Sequence, residues 1–191
     1  MKHYLVFLAI ASVLGCSSTV NMAPLDLGYG DYTHINPLFT LSDVSSAVRK
    51  SETILSVYSP SKATYLKREA ITIFDKEDKD LARVVLFYDN FRDIDYLKAN
   101  VVDGNGRIVH SYVLDDAIDF SVSGVVSFYT DSRVKVLELL HNSFPYTIEY
   151  EYKVTYSGLL NLPDWYPLEF NQGLESASLV INDYGNTGIR F

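Results

Sequence analysis

The segment Tyr146–Tyr156, YTIEYEYKVTY, constrains this chain more than any other. Its even positions are all Tyr, Ile or Val, and its odd positions are all Thr, Glu or Lys. Side chains alternate across a strand with a period of two, so the segment reads as one strand with an apolar face and a polar face. A helix needs apolar positions three apart as well as four apart, and this pattern supplies none three apart. The even row, Tyr146, Ile148, Tyr150, Tyr152, Val154 and Tyr156, is expected to face a core, each phenol reaching a polar rim or partner. The odd row, with Glu149 and Glu151, is expected to be a solvated face that pairs across strands with Lys or Arg, Arg133 and Lys135 being candidates.

Much of the remaining sequence repeats this grammar. TILSVY (Thr53–Tyr58) ends at the turn signal Ser59-Pro60, and ATYLKREAITIF (Ala63–Phe74) alternates in its second half. The charged DKEDKD (Asp75–Asp80) is expected to tip a hairpin whose returning strand is ARVVLFYD (Ala82–Asp89). Leu97, Ala99 and Val101 alternate with Lys98 and Asn100. The tetrad Asp103-Gly104-Asn105-Gly106 then supplies residues that accept positive φ, and RIVHSYV returns. A calcium loop would need further carboxylates and a closing Glu that this tetrad lacks. Asp115–Gly124 reads as a polar loop, and Val125–Leu140 holds two more strand candidates, with Val134 and Val136 expected to be buried. One short helix, capped by Ser42, is expected within Thr40–Glu52. With 48% hydrophobic and 21% charged residues, the chain of 191 residues can bury a core of one ordinary domain. Short strands separated by turn signals predict an all-β fold, a two-layer antiparallel β-sandwich. A net charge of -8 without a basic cluster excludes nucleic acid as a partner class.

The N-terminus is of another kind. Lys2 and His3 precede an apolar run from Tyr4 to Leu14, which suits a signal-peptide core and is too short to span a bilayer. The run ends VLGC, and this resembles a bacterial lipoprotein signal, in which an acylated cysteine follows an aliphatic, a small and a glycine residue. Val13 and Gly15 fit that pattern, and Leu14 is bulkier than usual. Cys16, the one cysteine, is therefore the expected lipid-attachment site. Several acyl chains on one residue give lasting membrane attachment. The alternative is an ordinary secretory signal cut later, leaving a periplasmic or secreted chain. The expected division is a lipoprotein-type signal over residues 1–16, a tether with one short helix over 17–50, a β-sandwich over 51–182 and a tail over 183–191.

Between residues 51 and 182 the chain resembles a known family. DYLKANVVDGNGRIV, the run Asp131-Ser132-Arg133-Val134-Lys135-Val136, and Ile148-Glu149-Tyr150-Glu151-Tyr152 carry the likeness, with Pro145, Trp165, Tyr166 and Pro167. Together they are similar to domain-of-unknown-function family 3857, a module found before transglutaminase-like domains in bacterial secreted or envelope proteins. The resemblance implies a sandwich-like β module with no catalytic residues of its own. It also implies a transglutaminase-like catalytic domain as partner, carrying a Cys-His-Asp triad whose thiolate is the nucleophile. No triad member falls within this sequence, which ends at Phe191, so the expectation is a truncated product or a module that works alone.

The residues offer no competing chemistry. His3, His34, His110 and His141 lack metal-ligand spacing, and no metal or other cofactor is expected. Glu149 and Glu151 share a sheet face, as a glycosidase pair could, but solvation accounts for them. Asp115, Asp116 and Asp119 form an acidic loop, for which solvation or a weak cation site are the readings. In NLPDWYPLEF (Asn161–Phe170), Trp165 and Tyr166 either stack on a sugar or grip a partner, or the loop folds back and buries Trp165 as a cap. Two functions follow: a non-catalytic, envelope-anchored accessory module that positions a catalytic domain, or a stand-alone lipoprotein that binds envelope glycan or protein. An inhibitor of lipoprotein signal peptidase should leave the precursor uncleaved, read as a mass shift on gel or by mass spectrometry. Normal processing in its presence would exclude acylation at Cys16.

Overall fold

The computed structural model describes residues 30–41, 44–122, 131–160, 162–168 and 171–188. After a short helix α1 (Pro37–Leu41), the regular structure among the described residues is almost entirely strand: β1 (Ser46–Ser59), β2 (Lys62–Ile73), β3 (Arg83–Tyr88), β4 (Arg92–Asp103) and β5 (Ile108–Val113). These are followed by β6 (Ile118–Ser121), β7 (Arg133–Glu138), β8 (Tyr146–Tyr156), β9 (Gln172–Leu174) and β10 (Ala177–Asp183). The large sheet has the order β10-β1-β2-β8-β4-β5, with β9 also paired to β1, and the small sheet has the order β3-β7-β6. The expected all-β sandwich is therefore present, and β8 lies at the middle of its large sheet.

Register explains the packing. β8 aligns Ile148 with Ile71 on β2 and with Val101 on β4, and Tyr150 with Glu69 and Ala99. The even row of β8 thus joins the core-facing rows of its neighbours. From the small sheet, Val84, Leu86 and Leu137 close over that face, and Ile148, Val101, Leu139 and Leu97 are almost fully buried between the layers. The two sheets differ in length. β1 has 14 residues and β7 has 6, or about 45 Å against about 20 Å at 3.3 Å per residue. The small sheet therefore covers only one end of the large one. A second core, Leu55, Val57, Ala63, Tyr65, Val154 and Tyr156, occupies the other end, where Leu159 and Leu162 of the segment after β8 pack on it.

That segment is also a crossover. β9 and β10 pair with β1 in parallel, and the rest of the large sheet is antiparallel. Parallel neighbours require a long return connection, here residues 157–171. β9 and β10 hold one common register along β1, Ser46 with Gln172 and Ser51 with Ala177. They form one interrupted edge strand, and Glu175 at the interruption pairs with Arg49 Nε at 2.9 Å.

Several expectations are corrected. The helix expected within Thr40–Glu52 is replaced from Ser46 onward by β1. Ser46, Ala47 and Val48 sit buried between β2 and β9, and strand pairing on both sides overrides local helix preference. Ser42 lies outside the described residues. Asp75–Asp80 does not tip a hairpin, because β2 and β3 belong to different sheets and this connection carries the chain from one layer to the other. The Asp115–Gly124 loop contains β6. The tether expected through residue 50 overlaps β1 from Ser46.

The first half of the odd row of β8 is not a solvated face, while Glu151, Lys153 and Thr155 remain partly exposed. Thr147 and Glu149 are buried. Glu149 accepts hydrogen bonds from Asn100 Nδ2 at 2.7 Å and from the Tyr32 phenol at 2.8 Å. Tyr32 belongs to a strap ahead of α1 that crosses the outer face of the large sheet. Arg49 secures the strap, donating to the carbonyl oxygens of His34 at 2.5 Å and Tyr32 at 3.4 Å and to Thr72 Oγ1 at 3.2 Å. Glu151 pairs with Arg68 on β2 and accepts from the Tyr96 phenol. Arg133 and Lys135 lie in the other sheet and pair with Asp119. The β4–β5 hairpin forms as expected. Asp103 accepts the Asn105 and Arg107 backbone N–H groups, and Gly106 has φ +78°. A side chain at Gly106 would also meet Thr33 of the strap at 2.9 Å.

Leu97→Ala, which empties a site 1% exposed between the layers, should cost about 2–5 kcal/mol in urea unfolding. A loss below about 1 kcal/mol would mean that the two layers are not packed as described.

Candidate functional site

The core-facing row of β2 runs Ala63, Tyr65, Lys67, Glu69, Ile71, Ile73, so two charges stand where apolar residues belong. Glu69 is 5% exposed. A buried carboxylate is costly unless it is fully hydrogen-bonded, and here three groups serve it. Ser51 Oγ donates at 2.8 Å, the Tyr150 phenol donates, and Lys67 Nζ lies at 3.1 Å. Burial, and then the charge of Glu69, push the Tyr150 phenol well above its ordinary range, so it stays a donor. Burial does the same to Tyr152. Tyr152 stacks between Tyr150, at 6.2 Å, and Tyr65, at 6.1 Å. Tyr65 of β2 and Tyr152 and Tyr150 of β8 thus form a ladder that ends on a carboxylate.

A cleft of about 220 Å³ opens over Glu69 and Tyr150. It lies where the small sheet stops and the crossover has not yet closed the face. Asp80, Leu81 and Arg83 form one wall, and Tyr166, Pro167 and Leu168 form the other. Tyr166 is 75% exposed and Trp165 40% exposed. The crossover does fold back as a cap, but Leu159 and Leu162 make the covering contacts, and the indole is left half in solvent.

The other sequence candidates are not brought to this cleft. Cys16 lies outside the described residues. Glu149 and Glu151 are on the opposite face of the large sheet, each engaged by neighbours. Asp116 accepts the Val113 N–H at 2.7 Å. Asp119 accepts from the Tyr88 phenol at 2.6 Å and from Arg133 Nε at 3.1 Å, and these donors, the phenol first, hold its carboxyl below the ordinary range. Asp103 is likewise held low, by the Arg107 backbone N–H first. Among the described residues no group of three or more His, Cys, Asp or Glu is placed to hold a metal ion. Glu69 is the residue that the sequence reading missed. Its signal was available: a charge on the same parity as Tyr65, Ile71 and Ile73.

Residues 59–180, well over half of the chain, match the family described as a domain of unknown function with solved structure, DUF3857. The chain belongs to the DUF3857 family. Among solved structures, the DUF3857 fold seen here is similar to that of a protein from Parabacteroides distasonis ATCC 8503 described as a candidate protease. The TM-score is 0.58 at 13% identity, over 72% of this chain and 28% of that one. The likeness is one of fold, and the present chain spans little more than a quarter of that structure's length. Comparison with curated proteins gives no match.

The dimensions of the cleft limit its chemistry. Pockets for free small ligands run to about 300–1,000 Å³, and this one is smaller and open along one side. It has room for one or two side chains of another polypeptide. Its floor offers a satisfied carboxylate and a neutral phenol, and its rim offers exposed aromatic surface.

Burial of the tyrosines fixes an alkaline limit on stability. Tyr156 is pushed up to about 12 by burial, and Tyr96 to about 12 by burial and the Glu151 carboxylate. In the unfolded chain these phenols ionise near 10. The unfolded state therefore loses its protons first, and stability falls as pH rises from about 10 towards 12. Denaturation midpoints measured across that window should decline, and the decline should be shallower in Tyr156→Phe. Equal slopes for the two proteins would show that Tyr156 is not held neutral by burial.

Proposed function

We propose that this DUF3857 chain is a non-catalytic accessory module, anchored at the cell envelope through Cys16, that positions a catalytic domain. The observation that carries this reading is an exposed aromatic loop beside a cleft sized for protein side chains: Tyr166 lines the cleft, and Trp165, its chain neighbour, is exposed. Trp and Tyr dominate the energetics of protein contacts, because they offer large rigid surfaces with a polar tip. The single carboxylate on the cleft floor is occupied by Ser51, Tyr150 and Lys67, which suits a surface for recognition better than a general base. The similar structure supports the reading as well, because there the matched fold is 28% of a longer chain. The sequence resemblance names a transglutaminase-like domain as the catalytic partner, and a domain of that class is the one to test.

The same exposed indole and phenol favour one second reading, a stand-alone lipoprotein whose aromatics stack on envelope glycan. Binding separates the two. A purified transglutaminase-like domain from the same organism, titrated against the mature lipidated chain in nanodiscs, should bind. The double variant Trp165→Ala with Tyr166→Ala should weaken that binding about tenfold or more. Absence of binding by the unaltered chain would overturn the accessory reading, and Trp165-dependent retention on purified envelope glycan would then favour the second.

A further inference from the structure

The small sheet carries apolar side chains on both of its faces. Val84, Leu86 and Leu137 enter the core, and the alternate positions point outward. Register aligns Val85 with Val136 and Val136 with Ile118, and in the next row Phe87 with Val134 and Val134 with Phe120. Two rows of three apolar side chains therefore cover the outer face of all three strands. Phe87 is 51% exposed and Ile118 61%. Val85 and Phe120 are also exposed, and Val134 and Val136 are half-buried between their neighbours. This corrects the expectation that Val134 and Val136 belong to the core. No charged residue interrupts the two rows. Arg83 and Glu138, which bound them at one end, pair with each other at 3.1 Å. Single exposed apolar residues are ordinary, but a contiguous face of this kind, roughly 400 Å² from its exposed aromatic and aliphatic area, is of the size that marks an interaction site.

Area and charge together choose the occupant. A stable dimer buries about 800 Å² on each partner, roughly twice what this face offers. Each copy also carries a net charge of -8, which opposes self-association. A lipid surface would call for basic residues free to meet headgroups, whereas Arg83 at the end of the rows is paired to Glu138, and Arg133 has the opposite parity on β7 and pairs with Asp119. Contacts between folded domains joined in one chain bury about 600–1,500 Å² in total, and a face of roughly 400 Å² on each side falls within that range. We propose that the outer face of the β3-β7-β6 sheet docks a second folded domain through a flat apolar surface with no charge at its centre. The proposal rests on the accessory reading in taking that domain to be the transglutaminase-like one, and it places the contact on a face distinct from the Trp165 loop.

The test uses the titration already described, with the mature lipidated chain in nanodiscs and the purified transglutaminase-like domain as the probe. Two variants alter the face: Phe87→Ser with Phe120→Ser, and the better strand formers Val85→Thr with Ile118→Thr. Urea midpoints within error of the unaltered chain establish that a variant is folded. The folded variants should bind the domain at least about tenfold more weakly. Binding that is unchanged in both pairs but lost in the Trp165 and Tyr166 variant would overturn the proposal and leave the accessory reading standing. No binding by the unaltered chain would overturn both. Sedimentation of the chain alone should show a monomer. A dimer dissolved by Phe87→Ser with Phe120→Ser would assign the face to a second copy and likewise overturn the proposal.

Discussion

The unequal length of the two sheets governs the rest of this structure. β1, β2, β4 and β8 run well past the six-residue strands β3 and β7, so one β layer cannot cover the other. An uncovered apolar face would be unstable in water. The chain resolves this with two cores under two different covers, a small sheet at one end and the crossover after β8 at the other. The crossover must be long, because it also delivers β9 and β10 in parallel to β1. Where the covers fail to meet, a cleft remains, and at that place β2 carries Lys67 and Glu69 instead of apolar residues. The polar pair, the gap and the aromatic loop beside it share one geometric cause.

Much of this was legible in the sequence. Strict alternation in Tyr146–Tyr156 identified β8, and its even row is the core row throughout. The Asp103–Gly106 turn fixed the β4–β5 hairpin, because few residues other than Gly and Asn accept its backbone. What escaped was what depends on distant chain. Residues 46–52 look mildly helical in isolation, and only pairing on both edges makes them a strand. Alternation assigns Thr147 and Glu149 to a face but cannot say that a strap carrying Tyr32 will cover that face. It likewise finds Val134 and Val136 on one side of β7 without saying whether that side meets the other sheet or solvent.

The candidate site was only half legible. Trp165 and Tyr166 stood out by residue type, and Tyr166 does line the cleft, with Trp165 next to it in the chain. Glu69 did not, because in a strand half of whose residues are polar a single carboxylate draws no notice until its parity is counted. Parity is the signal that matters: a charge in the core row of a central strand needs a built environment, and Ser51, Tyr150 and Lys67 are that environment.

The strap across the outer face has a mechanical meaning. From Gly30 the chain is held through Tyr32 and the carbonyl groups bound by Arg49, and these are fastened to the interior strands β8 and β1 of the large sheet. A pull on that end is therefore shared at once among interior strands by side-chain bonds, before any edge strand is loaded. Those side-chain bonds must break before the load reaches β1, and β1 is itself paired along both of its edges. A domain leashed by its N-terminus would, by this arrangement, resist being unravelled from the leash inward.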